Sequence, residues 1–317
     1  LLFAVVWDLV RRTRWAMARS VGFLVVYFGC ESIGVMLAFC IWIFSGRFLG
    51  LGKRRFLEWT YWLQRWWGGS QCRMAFRLFG LRMAVDGYDD LDIGPLLLFF
   101  HHASVADASM RGLLFLVGGG MRIRHVLKSE LLWDPVLDIL GSRLPHCFVQ
   151  RGLIDNEKEL AGVRRLMENL EPDEGVMIFP EGTRFTPEKR ERILEKLAAK
   201  NDTGLLEKAG ALKNVLPPRL GGSLALLDKN LNACAVFCAH VGLEATTKMW
   251  DFLNGSLVNR TILVKLWKVP FDKIPKTREA RIAWLYENWN RIDQWIEKHK
   301  NAHTRPGAVL PEPNFHP

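Results

Sequence analysis

The chain contains no Cys-x-x-Cys pair. Its six cysteines stand at positions 30, 40, 72, 147, 234 and 238. That spacing leaves no zinc site and no redox motif, and no other metal-ligand spacing is present. The thiols read as small buried hydrophobes in a reducing compartment. A Gly-x-Ser-x-Gly nucleophile elbow is also missing, which removes the usual sequence support for a serine hydrolase. There is no internal repeat. The N-terminal apolar stretch lacks a small-residue cleavage site, so it is not read as a secretory signal. The first residue is leucine, and the native start is expected to lie outside the chain as given.

What is present bounds the answer further. The 317 residues are 49% hydrophobic and 24% charged. This suffices for one large α/β domain with an appendage and is too apolar for disorder. The net charge of +10 favours an anionic partner: phospholipid, a nucleotide-like cofactor or nucleic acid.

The appendage comes first. "VGFLVVYFGCESIGVMLAFCIWIFSG" (21–46) approaches the ~20 apolar residues needed to cross a bilayer. Glu31 and Ser32 interrupt it, and a charge at mid-bilayer is costly. Arg11, Arg12, Arg14 and Arg19 precede it, and Lys53, Arg54 and Arg55 follow. Positive charge on both sides sets no single orientation. A re-entrant hairpin turning at Glu31–Ser32 is expected, with a single span or a buried helix pair as alternatives. Residues 53–83 interleave tryptophans with basic residues at helical spacing. Such a helix suits a membrane interface or single-stranded nucleic acid. The adjoining apolar span favours membrane.

From residue 84 the pattern alternates between strands and helices. Strands are expected at 95–100, 146–150, 175–179, 233–241 and 261–269. Helices are expected at 105–117, 157–170, 188–200 and 278–299. This predicts an α/β fold: a mixed, largely parallel sheet covered by helices, behind N-terminal membrane-associated helices. Three segments follow: 1–83 membrane-associated, 84–300 catalytic and 301–317 a loose proline-rich tail.

Function in such sheets gathers where strands end. "FFHHASVADASM" (99–110) ends a buried strand in two histidines. His102 and Asp107 would point about 140° apart on one helix. They can meet if His102 lies on the loop and Asp107 on the first helical turn. Such a pair fixes the imidazole tautomer, and neutral histidine is a good general base. Alone, the spacing is first read as a structural helix start. Ser104 suits a helix cap better than a nucleophile. "FPEGTRFT" (179–186) and "FVQRG" (148–152) each follow a strand. Standing alone, the first is a tight turn with a surface ion pair. Arg151 in the second is a surface residue or a bidentate phosphate ligand.

Together and in this order, these stretches resemble the phospholipid/glycerol acyltransferase family, and the lysophosphatidic acid acyltransferases in particular. The resemblance covers residues 96–186, with "VLKSELLWDPVLDILGSRLPHCFVQRG" filling the middle as in bacterial members. "VLPPRLGG" (215–222) is similar to a Pro-Arg-x-x-Gly stretch of one branch. Two departures stand out. His101 replaces the asparagine common before the histidine of the motif. Ala239 and His240 stand where a late Val-x-Pro-Val-like stretch carries its proline.

The resemblance implies acyl transfer from acyl-CoA or acyl carrier protein to the free hydroxyl of 1-acylglycerol 3-phosphate, giving phosphatidic acid. It implies His102 as base, oriented by Asp107. It implies that Arg151, Glu181, Gly182, Thr183 and Arg184 form the phosphate-binding set, with Arg219 and Ser104 as further candidates. The acyl donor is a substrate; no bound cofactor or metal is expected, and no nucleic acid. Partners are the lysophospholipid and an anionic membrane surface. The implied location is a bacterial inner membrane, with the catalytic domain on the cytoplasmic side. Other acceptors are lysophosphatidylglycerol, lysocardiolipin and glycerol 3-phosphate. Rival classes are a Ser104-dependent lipid hydrolase and a non-catalytic binder of anionic lipid.

Overall fold

The computed structural model describes residues 2–87, 91, 94–104, 120–150, 156–244 and 249–301. The chain opens with three helices, α1 (Leu2–Arg11), α2 (Ala16–Phe44) and α3 (Lys53–Phe79). The helices α2 and α3 pack against each other as a hairpin. Its reversal lies at residues 45–52, not at Glu31–Ser32 as the sequence suggested. Gly46, Gly50 and Gly52 all take positive φ there. A Cβ at Gly52 would sit 1.8 Å from the Ser45 carbonyl oxygen, so only glycine closes this turn.

α2 therefore runs unbroken for 29 residues, roughly 43 Å at 1.5 Å per residue. Glu31 does not break it because the carboxylate turns inward and finds donors. Oε1 accepts from the Trp67 indole at 2.6 Å and the Gln71 amide at 3.3 Å, and Oε2 from the Val136 N–H at 3.2 Å. A buried carboxylate so paired avoids most of the cost of lost hydration. Ser32 donates to the Phe28 carbonyl at 3.0 Å, a bond serine makes without leaving a helix.

After α3 the chain builds β1 (Arg82–Asp86), β2 (Leu96–Phe100), β3 (Arg122–Lys128) and α4 (Pro135–Arg143). Then come β4 (Cys147–Val149), α5 (Glu157–Arg165), β5 (Glu174–Ile178) and α6 (Pro187–Ala199). Last are α7 (Thr203–Gly210), α8 (Leu220–Lys229), β6 (Cys234–Val241), β7 (Thr261–Val269) and α9 (Arg278–His299). The expected 83/84 boundary falls inside β1. The helix expected over 105–117 and the tail beyond Asn301 lie outside the described residues.

Seven strands form one sheet, ordered β1-β7-β6-β2-β5-β3-β4. Neighbours run parallel except β6 and β7. The sheet is thus mixed and largely parallel, with helices on both faces. Its central strand β2 is buried at every residue. Leu97 and Phe99 pack on one face with Phe237 and Trp289. Leu96, Leu98 and Phe100 pack on the other with Phe76 and Phe79 of α3. This two-sided burial is what a parallel central strand requires. α3 consequently serves two surfaces: Phe76 and Phe79 enter the core, while Trp59 and Trp62 stay exposed.

α5 ends at Arg165, short of the expected Leu170. The cause is Arg124 of β3. Its Nη1 takes the carbonyls of Leu166 (3.0 Å) and Glu168 (2.7 Å), and Nη2 takes that of Asn169 (3.1 Å) and Glu174 Oε2 (2.6 Å). Carbonyls turned toward a buried guanidinium cannot continue a helix.

His146 links the helical hairpin to the sheet. The His125 N–H donates to its Nδ1 at 3.2 Å, and the Gln64 amide lies 3.1 Å from its Nε2. Since Nδ1 accepts, the neutral ring carries its proton on Nε2, and the Gln64 amide oxygen is the group that fits there. Burial pushes the His146 pKa down to about 4. The unfolded chain then binds more protons than the folded one between the ordinary histidine value near 6.5 and about 4. Stability is full above that window and falls as pH drops through it, by about 3 kcal/mol at most. Urea midpoints measured near neutral pH and near pH ~5 should show this loss, and His146→Gln should flatten it.

Candidate active site

β2 and β5 are adjacent and parallel, with Phe99 level with Ile178. The loops that leave their C-terminal ends therefore meet. One carries His101–Ser104, the other Phe179–Arg184. β6 flanks β2 on its other side, with Phe100 level with Cys238. That brings His240 to His101, ring centroids 5.0 Å apart.

Glu181 is the hub. Its carboxylate is fully buried. Oε1 lies 2.8 Å from His101 Nδ1 and accepts the His102 N–H at 3.1 Å. Oε2 accepts the Leu216 N–H at 3.1 Å. An ionised carboxylate only accepts, so His101 Nδ1 donates. His240 Nε2 lies 3.3 Å from the His101 carbonyl oxygen, placing its proton on that nitrogen. The Glu181 side chain thus grips the histidine loop, and the three donors offset the cost of burying a carboxylate. Both oxygens of Glu181 face inward onto donors of the protein, within the loop expected to bind phosphate.

His102 is pinned at both backbone groups. Its N–H goes to Glu181, and its carbonyl accepts the Phe185 N–H at 3.1 Å. Its ring lies against Phe179, centroids 4.8 Å apart, and remains partly exposed. The His102 backbone is therefore fixed, and its ring packs on Phe179 at the end of β2. Ser104, by contrast, is fully buried, so its hydroxyl is not presented to a substrate.

Gly182 has φ +64, and a Cβ there would meet Arg219 Nε at 3.0 Å. The positive φ favours glycine there, and its bare Cα lets the Arg219 side chain lie close over the turn. The Arg219 N–H donates to the Pro180 carbonyl at 2.8 Å, which ties the 215–222 stretch to the same loop. Thr183 and Arg184 are partly exposed beside it. Lys189, a residue the sequence reading did not single out, donates from Nζ to Thr183 Oγ1 at 3.0 Å and to the Arg184 carbonyl at 2.9 Å. It sits in the first turn of α6, which Thr186 caps through the Lys189 N–H at 3.3 Å. The cap fixes the backbone there, and the two Nζ bonds fix where that ammonium points. Arg184, Lys189 and Arg219 concentrate positive charge on the loop beside His102. Asp107 and Arg151 lie outside the described residues, and among the described residues no group of three His, Cys, Asp or Glu gathers as a metal site.

Residues 82–218 match the family model described as Acyltransferase. The chain is 24% identical over 185 residues to the 1-acyl-sn-glycerol-3-phosphate acyltransferase epsilon of Mus musculus, covering 55% of this chain and 49% of that protein. It is 23% identical over 264 residues to the delta form of Homo sapiens, covering 79% of this chain and 63% of that one. The chain thus spans between about half and just under two thirds of these relatives. Its fold is that of the crystal structure of the 1-acyl-sn-glycerophosphate (LPA) acyltransferase PlsC from Thermotoga maritima. The TM-score is 0.56 at 12% identity, covering 90% of this chain and 99% of that one. Residues 82–218 thus carry an Acyltransferase-family domain, with the two strand-end motifs meeting inside it.

Proposed function

We propose that this chain transfers a fatty acyl group from acyl-CoA, or acyl carrier protein, to the free hydroxyl of 1-acylglycerol 3-phosphate, forming phosphatidic acid. The observation that carries this reading is His102, at the end of buried β2, held at its N–H and carbonyl by the opposing loop with its side chain partly exposed. His102 takes the proton of the acceptor hydroxyl as its oxygen attacks the thioester carbon. The tetrahedral intermediate collapses, the C–S bond breaks, and the imidazolium returns the proton to the leaving thiolate. No acyl-enzyme is needed, because the alcohol is itself the nucleophile. Such base catalysis contributes about 10²–10⁴-fold.

Arg184 and Arg151 hold the acceptor phosphate in this reading, joined by Lys189 and Arg219 and by backbone N–H groups at Gly182 and Thr183. Anchoring the phosphate places the hydroxyl at His102, and such positioning lowers the barrier by several kcal/mol. Glu181 holds the loop rather than the substrate. The hairpin of α2 and α3 keeps the site at a lipid surface: α2 is long and apolar enough to cross a membrane, and its outer side exposes Leu24, Phe28, Met36 and Phe39. The names of the relatives favour 1-acylglycerol 3-phosphate as acceptor.

The test is an acceptor panel with labelled oleoyl-CoA and purified protein in detergent. Diacyl product from lysophosphatidic acid above all others supports the reading. Product only from lysophosphatidylglycerol, lysocardiolipin or glycerol 3-phosphate keeps the mechanism and changes the acceptor. Unchanged lipid binding with no product from any acceptor rejects it.

A further inference from the structure

The most exposed large hydrophobic side chain among the described residues is Trp133, at 92%. It ends a 3-10 turn, Ser129–Trp133, that leaves β3, and Leu131 and Leu132 beside it are exposed as well. Three consecutive apolar side chains facing outward call for a partner, because one exposed hydrophobe is ordinary and a cluster is not.

The residues that follow the turn tie it to α2. The Asp134 N–H donates to the Leu131 carbonyl at 3.1 Å. Asp134 Oδ1 caps α4 through the Leu137 N–H at 2.9 Å, and Oδ2 accepts the Tyr27 hydroxyl at 2.6 Å. Two residues on, the Val136 N–H reaches Glu31 at 3.2 Å. Val136 packs so closely on Gly34 that a Cβ there would lie 2.7 Å from it. Leu131, Leu132 and Trp133 are thus clamped beside the middle of α2, whose exposed Leu24 and Phe28 bracket Tyr27. β3, β5 and β2 run parallel, so the turn sits at the same end of the sheet as His102.

We infer that Leu131, Leu132 and Trp133 form a wedge that enters the surface of an anionic phospholipid bilayer and sets the site's height above it. The inference rests on the membrane reading of α2. Three observations select lipid as the occupant. The turn runs directly into Asp134 and Val136, which bond to α2, and the outer side of α2 is apolar. Exposed Lys53, Arg54 and Arg55 follow the hairpin turn, complementing anionic headgroups. Tryptophan favours the level where acyl chains meet headgroups. Because the turn is already ordered, insertion costs little conformational freedom.

The test uses the full chain and vesicles of phosphatidylcholine and phosphatidylglycerol in equal parts. Trp133 touches little protein, so Trp133→Glu and Trp133→Phe should keep the wild-type melting temperature. Partition of Trp133→Glu into vesicles should fall about tenfold or more, while Trp133→Phe stays close to wild type. The chain has 13 tryptophans, so depth is read by difference: brominated lipid should quench wild type more than Trp133→Phe. Turnover of a short-chain acceptor in detergent should be unchanged in both variants. Equal partition and equal quenching overturn the wedge. Wild type that ignores vesicles overturns the membrane reading itself. Self-association relieved by Trp133→Glu without vesicles assigns the patch to a second copy and also overturns the wedge.

Discussion

His102→Ala is expected to lower kcat by about 10³-fold, within the range for loss of a positioned general base. That corresponds to about 4 kcal/mol of transition-state stabilisation. The KM for the lysophospholipid should change little, because in the proposed mechanism the ring serves the reacting hydroxyl and not the phosphate. The side chain is partly exposed and lies against Phe179. The variant should therefore fold, with a denaturation midpoint close to wild type. Steady-state kinetics and a thermal scan check both halves. A His102→Ala enzyme within about tenfold of wild type would leave the site without its base.

Glu181→Ala should be nearly as damaging, for a different reason. It strips His101 Nδ1, the His102 N–H and the Leu216 N–H of their acceptor at once. Leaving buried donors unpaired costs about 1–3 kcal/mol each, so stability should drop by about 3–5 kcal/mol. The histidine loop then loses its register, and displacement of about 1 Å can cost 10²-fold in rate. Glu181→Gln separates positioning from phosphate binding. It preserves shape but turns one acceptor into a donor facing donors. Positioning predicts a lower kcat with a KM for lysophosphatidic acid near wild type; a phosphate contact predicts the reverse. Adding His101→Asn to the wild type tests the same hub gently. Asparagine can still donate toward Glu181, so most activity should remain, whereas His101→Leu should behave like a mild Glu181→Ala.

The sequence showed the sheet better than it showed the hub. β7 and α9 were legible from end to end at 261–269 and 278–299, because their apolar periods are local properties of the chain. The two strand-end motifs were legible as motifs. What Glu181 does was not, since its partner His101 lies 80 positions away and only the adjacency of β2 and β5 joins them. Glu31 was misread for the same reason. Its donors sit at Trp67, Gln71 and Val136, so the residue looked like a break in an apolar span when it is a clasp. The end of α5 was hidden too, because it is set by the distant side chain of Arg124 and not by a local stop signal. Lys189 was overlooked as one charge in a charged helix; the capping Thr186 three residues earlier was the available clue. Burial and partnership are non-local, and that is where reading the chain by itself ran short.

The hairpin gives this division a functional meaning. α3 packs on the sheet through Phe76 and Phe79 while α2 shows apolar side chains outward. With α2 in a membrane, as proposed, the loop of His102 would keep a fixed relation to the lipid surface, and an acceptor with one acyl chain would not have to leave the bilayer to reach it.

The most direct measurement follows the label of oleoyl-CoA in wild-type protein, with and without lysophosphatidic acid. The account predicts label in phosphatidic acid when the acceptor is present, release of one CoA thiol per product, and almost no free fatty acid in either case. Label appearing chiefly as free oleate, at the same rate with or without acceptor, would contradict it: water would be the acceptor, and the chain a hydrolase on this fold.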